Sequence, residues 1–218
     1  AVRNSRALFR AAADAGVGRI VHVSIAKADA DVGLPYYRGK ARVEEALGRT
    51  GVPHSILRPA LLFGEGDVLV NNIAWMVRRF PVFPMPGEGD YRLRPIHVDD
   101  LAALAVREAE RTDGRRVVPA VGPDRLTYRE LVRILADALG TTTRPVRAPP
   151  ALVLAAARAL GLAVRDVVLT RHELEGLTAG LLDVEGPATG ETGLASWVRG
   201  HADTLGDRWA SELDRHYR

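Results

Sequence analysis

The distribution of apolar and polar residues predicts parallel β-strands in the first part of the chain. Segments 19–25 (RIVHVSI) and 54–59 (HSILRP) are short and almost continuously apolar, as expected of strands that are covered on both faces. Helical patterns at 4–15 and 36–51 precede and separate these strands, and glycines end both helices. Alternating helices and strands with short connections favour a parallel sheet with right-handed crossovers.

The pattern becomes less regular after Pro59. We predict a loop (60–67), a helix (68–79), a proline-rich irregular stretch (80–90), a strand (91–98), a helix (99–112), a strand (114–122), a helix (127–140) and a connector (143–150). Asp99 or Asp100 is the predicted N-cap of the helix at 99–112. Thr127 and Glu130 fit a capping box. Residues 151–218 are predicted to be mostly helical, with a glycine-rich interruption at 180–193.

The most apolar run is ALVLAAARALGLAV, residues 151–164, which Arg158 interrupts. It is too short to cross a membrane, which takes about 20 residues. We interpret it as a buried or partner-facing helix, and a membrane-surface role is the alternative. The N-terminal residues have an amphipathic alanine and arginine pattern without the apolar core of a signal peptide.

Composition narrows the classes of function. The 218 residues include no cysteine, which excludes disulfides and thiolate metal sites and fits a reducing, cytoplasmic location. The formal net charge is only +3 and the basic residues are interleaved with acids. Because neither a basic run nor the aromatic spacing of an RNA-binding platform is present, we expect no nucleic-acid partner.

A tyrosine and a lysine stand out in the stretch PYYRGK. The chain has 28 arginines but only two lysines, and one of these, Lys40, follows Tyr36 by four residues. Residues at this spacing share one face of a helix. Ser24 lies at the end of the preceding apolar strand, where open α/β sheets bind ligands. A hydroxyl, a phenol and an ammonium at one crevice suit proton transfer to a carbonyl or alcohol, because a nearby ammonium lowers the pKa of a phenol. The alternative is a structural tyrosine beside a lysine.

These residues resemble the active site of the short-chain dehydrogenase/reductase superfamily. The motifs are VHVS, the twelve-residue step from Ser24 to Tyr36, and YYRGK. LRPALLFGEGD and RPIHVDDLA resemble segments of the extended and atypical (NmrA-like) branches, which include nucleotide-sugar epimerases, dehydratases and an accessory subunit of respiratory complex I. The resemblance covers residues 4–139.

The resemblance implies an α/β fold: the C-terminal portion of a Rossmann-type doubly wound parallel sheet, with a smaller, mostly helical C-terminal region. We predict a partial NAD(P)-binding domain at 1–112 and a substrate- or partner-binding region at 113–218.

The resemblance also implies roles for individual residues. Tyr36 would be the acid/base, Lys40 would lower its pKa and bind the nicotinamide ribose, and Ser24 would polarise the substrate oxygen. The segment Pro59, Ala60, Leu61 and Leu62 would flank the nicotinamide of NAD or NADP.

A further set of residues comprises candidate substrate contacts: Asn71, Asn72, Trp75 and His97. For the first three, the alternative interpretation is a capped and packed helix. His97 with Asp99 and Asp100 could be read as a metal cluster, but adjacent acids at a helix start are usually caps, so we predict no metal site.

The sequence departs from the superfamily at the phosphate-binding loop. It has no G-x-x-G-x-x-G motif after a strand, and the residue that separates NAD from NADP is missing. We expect the strands that carry both to precede Ala1, and we expect this chain to bind the coenzyme weakly or not at all.

Three functions remain open at this point. The first is an NAD(P)-dependent oxidoreductase or epimerase that acts on a small carbonyl or alcohol. The second is a non-catalytic dinucleotide-sensing or accessory subunit with a protein partner or a second copy of the chain. The third is a truncated product without activity.

Overall fold

The computed structural model describes residues 2–29 and 31–217, with side chains to residue 214. In chain order the elements are α1 (Val2–Asp14), β1 (Ile20–Val23), α2 (Pro35–Gly48), β2 (His54–Pro59), β3 (Leu61–Phe63), α3 (Leu69–Arg79), β4 (Val82–Pro86), β5 (Arg92–Leu93), β6 (Pro95–His97), α4 (Val98–Ala109), β7 (Arg115–Ala120), β8 (Leu126–Thr127), α5 (Tyr128–Ala138), β9 (Arg144–Ala148), α6 (Pro150–Val164), α7 (Arg171–Thr178), α8 (Leu194–Gly200) and α9 (Glu212–Tyr217).

A three-stranded parallel sheet in the order β1–β2–β7 positions the site. Successive side chains of a strand point to opposite faces, so Ile56 and Leu57 of β2 belong to different cores. Ile56 packs with residues of α1 and α2, including Phe9 and Leu47, whereas Leu57 packs with residues of α4, including Leu104. Helices therefore cover both faces of the sheet, which confirms the predicted α/β class and explains why its strands are so apolar.

A second, larger core lies beside this sheet. It joins β3, α3, β4, α5 and α8, and its fully buried side chains include Phe63, Ile73, Met85, Leu131 and Leu194. The capping box of Thr127 and Glu130 is confirmed at the start of α5. Small two-stranded sheets surround this core: β3 with β6 in parallel, β4 with β9 in parallel, and β5 with β8 in antiparallel pairing.

Several predicted boundaries were wrong. The stretch at 80–90 contains β4 and the connector at 143–150 contains β9, and these two strands pair with each other; prolines at positions 84, 86 and 145 concealed them. The loop at 60–67 contains β3. The strand predicted at 91–98 is split at Arg94, whose buried guanidinium donates to the carbonyls of Gly122 and Gly186.

The N-cap of α4 is His97, not Asp99 or Asp100. The His97 ring accepts a hydrogen bond from the backbone N–H of Asp99 at 3.3 Å. Asp100 instead accepts from the backbone N–H groups of Glu191 and Thr192, at 2.9 and 2.8 Å. This carboxylate therefore fastens the glycine-rich segment 180–193 to α4.

The C-terminal part contains α6 to α9 with irregular segments between them. Its division from the first part at residue 112 stays a prediction, although β7 lies beyond that position and pairs with β2. Across the part of the chain that the structure describes, no helix has both the length and the apolar character that crossing a membrane requires.

Candidate functional site

Ser24 lies directly after β1, at the carboxyl edge of the central sheet. Its backbone N–H donates to the carbonyl of Leu57 at 2.8 Å, which extends the pairing of β1 with β2. The residue is 2% exposed and its Oγ has no hydrogen-bond partner. Four buried side-chain N or O atoms lack a partner among the described residues, and of these only Ser24 Oγ belongs to the lining of the large cavity described below. A buried hydroxyl without a partner costs about 1–3 kcal/mol, so this atom is suited to a ligand oxygen.

Tyr36 and Lys40 project from the first turns of α2. Pro35 occupies the first position of this helix, where its missing N–H costs nothing. Val43 and Leu47 follow on the same face of α2, where they pack against Ile56 of the sheet, so the face that packs on the sheet also carries the tyrosine and the lysine to its edge. Lys40 Nζ lies 5.8 Å from the centroid of the Tyr36 ring. The predicted sharing of one helix face is therefore present in the structure.

Burial alters the pKa of both side chains. It raises the pKa of the Tyr36 phenol, although 59% of the residue's surface is exposed. The direction of this shift is opposite to the lowering expected from Lys40, because burial disfavours the charged phenolate. Burial also lowers the pKa of Lys40, and the Glu44 carboxylate opposes that effect. Glu44 is itself held by Arg58, whose Nε donates to it at 3.0 Å.

The Glu44→Gln variant is expected to lower the pKa of Lys40 further, because it removes the carboxylate that favours the ammonium form while burial still disfavours it. The two lysines can be ¹³C-dimethylated and titrated by NMR, with Lys40→Arg assigning the Lys40 signal. Glu45→Gln, which removes an exposed carboxylate paired with Arg49, is the matched control. An unchanged Lys40 pKa in a folded Glu44→Gln protein would contradict this account.

The predicted cofactor segment lies beside these side chains. Pro59 ends β2, Leu61 and Leu62 belong to β3, and Ala60 lies between the two strands. The Pro59 carbonyl accepts from the N–H of Ala26 at 2.7 Å, so this segment adjoins the chain that follows Ser24.

All seven predicted catalytic and cofactor residues line one cavity of about 1530 Å³. They are Ser24, Tyr36, Lys40, Pro59, Ala60, Leu61 and Leu62.

The candidate substrate residues of α3 mainly attach the C-terminal segment. Asn71 is not part of the cavity lining; its side chain accepts from the N–H of Gly206 and donates to the carbonyl of Arg208. Asn72 lines the cavity, but its amide is paired in both directions with the backbone of Ala210. Trp75 lies outside the lining and packs edge-on against Trp209, at 5.2 Å between ring centroids. The alternative of a packed helix therefore accounts for the contacts of these residues.

His97 also lies outside the cavity lining. Besides capping α4, its ring packs against Phe63 and Trp197, with centroids 5.2 and 5.9 Å away. The structure thus gives His97 a role in joining α4 and α8 to the second core.

The sequence reasoning did not identify the far wall of the cavity. That wall comes from α6, the segment 167–170, α7 and Trp209. The apolar run at 151–164 was the available signal, because its small side chains include Ala156 and Ala157, which line the cavity. Leu152 and Leu162 of the same helix do not belong to the lining and are 57% and 83% exposed.

The second lysine of the chain has a structural contact. Lys27 has a positive φ of 49°, a conformation that non-glycine residues seldom adopt. Its Nζ donates to the carbonyl of Gly180 at 2.7 Å, which ties the loop after β1 to the residues that follow α7.

Comparison with known proteins supports the interpretation of the fold. No family model matches the chain. It is 31% identical over 137 residues to the Arabidopsis thaliana NADH dehydrogenase [ubiquinone] 1 alpha subcomplex subunit 9, mitochondrial, covering 62% of this chain and 34% of that protein. It is 31% identical over 155 residues to the ceramide reductase of Caulobacter vibrioides, covering 70% and 48%. The chain therefore spans between a third and a half of the length of these relatives.

Solved structures match over more of the chain. The NADPH-dependent quinone oxidoreductase QOR2 of Escherichia coli superposes with a TM-score of 0.75 at 20% identity, covering 92% of this chain and 71% of that chain. A nucleoside-diphosphate-sugar epimerase of Staphylococcus aureus gives a TM-score of 0.71 at 19% identity, with 89% and 69% covered. The chain has the fold of the short-chain dehydrogenase/reductase superfamily. The Rossmann-type fold that the sequence resemblance implied is confirmed.

Proposed function

We propose that the chain provides the acid–base part of an NAD(P)-dependent oxidoreductase or epimerase site that acts on a carbonyl or alcohol. The observation that carries this proposal is the position of Ser24, Tyr36 and Lys40 on one cavity, at the carboxyl edge of a parallel sheet. The superfamily fold supports it, as do the neighbours whose names specify NADPH-dependent or epimerase activity.

Each side chain has a chemical role in carbonyl reduction. The raised pKa keeps the Tyr36 phenol protonated at neutral pH, so it can donate its proton to the carbonyl oxygen. Ser24 Oγ donates a hydrogen bond to the same oxygen and stabilises the charge that develops there. The Lys40 ammonium stabilises the phenolate that remains until solvent reprotonates it. In the oxidising direction the proton moves from the alcohol to Tyr36.

The residues present fit the nicotinamide end of a coenzyme. Lys40 and Tyr36 would hold the ribose, and the segment Pro59–Leu62 would flank the ring. A bound coenzyme supplies the hydride to the substrate carbon or accepts it. The sequence contains no glycine-rich motif for the pyrophosphate, and nothing in it selects NAD or NADP.

A second candidate function is that of a non-catalytic accessory or dinucleotide-sensing subunit. The observation that favours it is the similarity to relatives named as subunits of NADH dehydrogenase [ubiquinone]. Leu152 and Leu162 of α6 are exposed outside the cavity lining, and in this function a protein partner or a second copy of the chain would cover them. For either function, the cysteine-free sequence fits a reducing compartment such as the cytoplasm.

Coenzyme titration and turnover distinguish these functions. We expect calorimetry with NADH and NADPH to give a dissociation constant above about 1 μM, because the phosphate-binding loop provides much of the affinity for a dinucleotide. At millimolar coenzyme we expect slow reduction of decan-2-one or menadione, followed at 340 nm. Coenzyme binding without turnover of any carbonyl would support the accessory function. Sub-micromolar binding would refute the expectation that the coenzyme binds weakly.

A further inference from the structure

The cavity is larger than sites for small polar substrates. Its volume of about 1530 Å³ exceeds the roughly 300–1,000 Å³ typical of pockets for drug-sized ligands. Its walls come from α2, α3, α6 and α7 and from the segments around β3 and β4, so it extends well beyond the Ser24 end. Even with a nicotinamide against Pro59–Leu62, a small ketone at Ser24 would leave the space along α3, α6 and α7 without contacts.

The opening of the cavity is apolar. Sixteen large apolar side chains are exposed in the part of the chain that the structure describes, and eight of them belong to this lining. Leu69, Phe80, Val82 and Val167 are among these, each at least 42% exposed. Apolar surface concentrated in one concavity marks a binding site for an apolar ligand.

Several polar side chains of the lining away from Ser24 already have partners within the protein. Asn72 is paired with Ala210, and Asp67 accepts from the N–H of Val70 at the start of α3. Thr170 and Glu173 form the capping box of α7. The distant part of the cavity therefore offers mainly van der Waals contact, while the Ser24 end offers a hydrogen-bond donor.

The composition of α6 creates the space. Ala156, Ala157 and Ala159 lie on the lining, and their short side chains leave the cavity open along the helix. Ala155 belongs to the same helix but not to the lining. The helix thus contains both the positions that would contact a ligand and a matched position that would not.

We propose that this cavity binds a long-chain amphipathic lipid, with a carbonyl or hydroxyl oxygen at Ser24 and an alkyl or isoprenoid chain along α3 and α6. This inference rests on the proposed function, because it names the substrate class of that site. The alkyl or isoprenoid chain of the lipid provides affinity by burying methylene groups, and its single oxygen sets the position of the reacting carbon.

Chain length is the variable that tests the proposal. Affinities of 2-alkanones with 6, 8, 10 and 12 carbons would be measured by displacement of 11-(dansylamino)undecanoic acid, below the concentrations at which light scattering detects aggregates. We expect each added methylene to tighten binding about two- to fourfold. Decylubiquinone is compared with dodecan-2-one: stronger binding of the first indicates a quinone lipid, and stronger binding of the second indicates an acyl lipid.

Matched variants separate the two ends of the ligand. Ala157→Phe is expected to weaken binding of the 12-carbon ketone at least tenfold, because the phenyl ring shortens the space for the alkyl chain. Binding of the 6-carbon ketone should change less than about threefold. Ala155→Phe should leave both affinities unchanged. Ser24→Ala is expected to weaken binding of all four ketones by a common factor of about 2–10, without altering the dependence of affinity on chain length.

The proposal fails if affinity does not depend on chain length, if neither long-chain ligand binds, or if Ala155→Phe weakens binding as much as Ala157→Phe. The assay needs neither coenzyme nor turnover, so its failure is distinguishable from failure of the proposed function. Turnover without a dependence of affinity on chain length would support the enzymatic function and refute lipid binding. A dependence on chain length without turnover would support lipid binding and refute the enzymatic function.

Discussion

Tyr36→Phe is expected to lower turnover about 100-fold or more, which is the scale of general acid–base catalysis. The variant keeps the aromatic ring and removes only the hydroxyl that would donate the proton. Because Tyr36 is 59% exposed, the loss of this hydroxyl should leave the thermal midpoint of unfolding almost unchanged. The measurement is kcat at saturating ketone and millimolar coenzyme, for the wild-type and variant chains.

Tyr37→Phe is the matched control for this loss. Tyr37 is the next residue on α2 and also belongs to the cavity lining, with its ring 5.8 Å from that of Tyr36. It faces α7, where its hydroxyl approaches Gly176. We expect its removal to change kcat less than about threefold, since it takes no part in proton transfer. Equal losses in the two variants, or unchanged turnover in Tyr36→Phe, would end the assignment of Tyr36 as the acid.

The predictions that were confirmed depend on local sequence. The spacing of Tyr36 and Lys40 needs only one helix to bring them onto one face. The strand that contains Ile56 and Leu57 was recognisable because both of its faces are buried, so its apolar run is continuous. The position of Ser24 at the site follows from the geometry of parallel strands, because their carboxyl ends meet at one edge of the sheet.

The features that were missed depend on contacts between distant parts of the chain. Strand β4 pairs with β9 across some sixty residues, and each contains at least one proline, which single-strand patterns treat as a break. The cavity wall at α6 and α7 lies more than a hundred residues from Tyr36, and no periodicity connects the two. The raised pKa of Tyr36 is likewise caused by burial, and burial cannot be read from the sequence of α2 alone.

Phe63→Ala is expected to cost about 3–5 kcal/mol of the free energy of unfolding. Phe63 is 1% exposed, and its ring packs edge-on against His97 and Trp197, at 5.2 and 5.7 Å between centroids. Truncation therefore removes buried apolar surface and leaves a void where β3, α4 and α8 meet. Against a total stability of about 5–15 kcal/mol this is a large fraction, which urea unfolding followed by circular dichroism would measure.

Phe80→Ala is the control that separates packing from contact with the cavity. Both phenylalanines belong to the cavity lining, but Phe80 is 42% exposed at its opening. We expect its truncation to cost about 1 kcal/mol or less, because solvent replaces the ring without leaving a buried void. Similar losses in the two variants would show that Phe63 does not hold the second core together. A large loss confined to Phe63→Ala would show that the packing of Phe63 against His97 and Trp197 stabilises the second core.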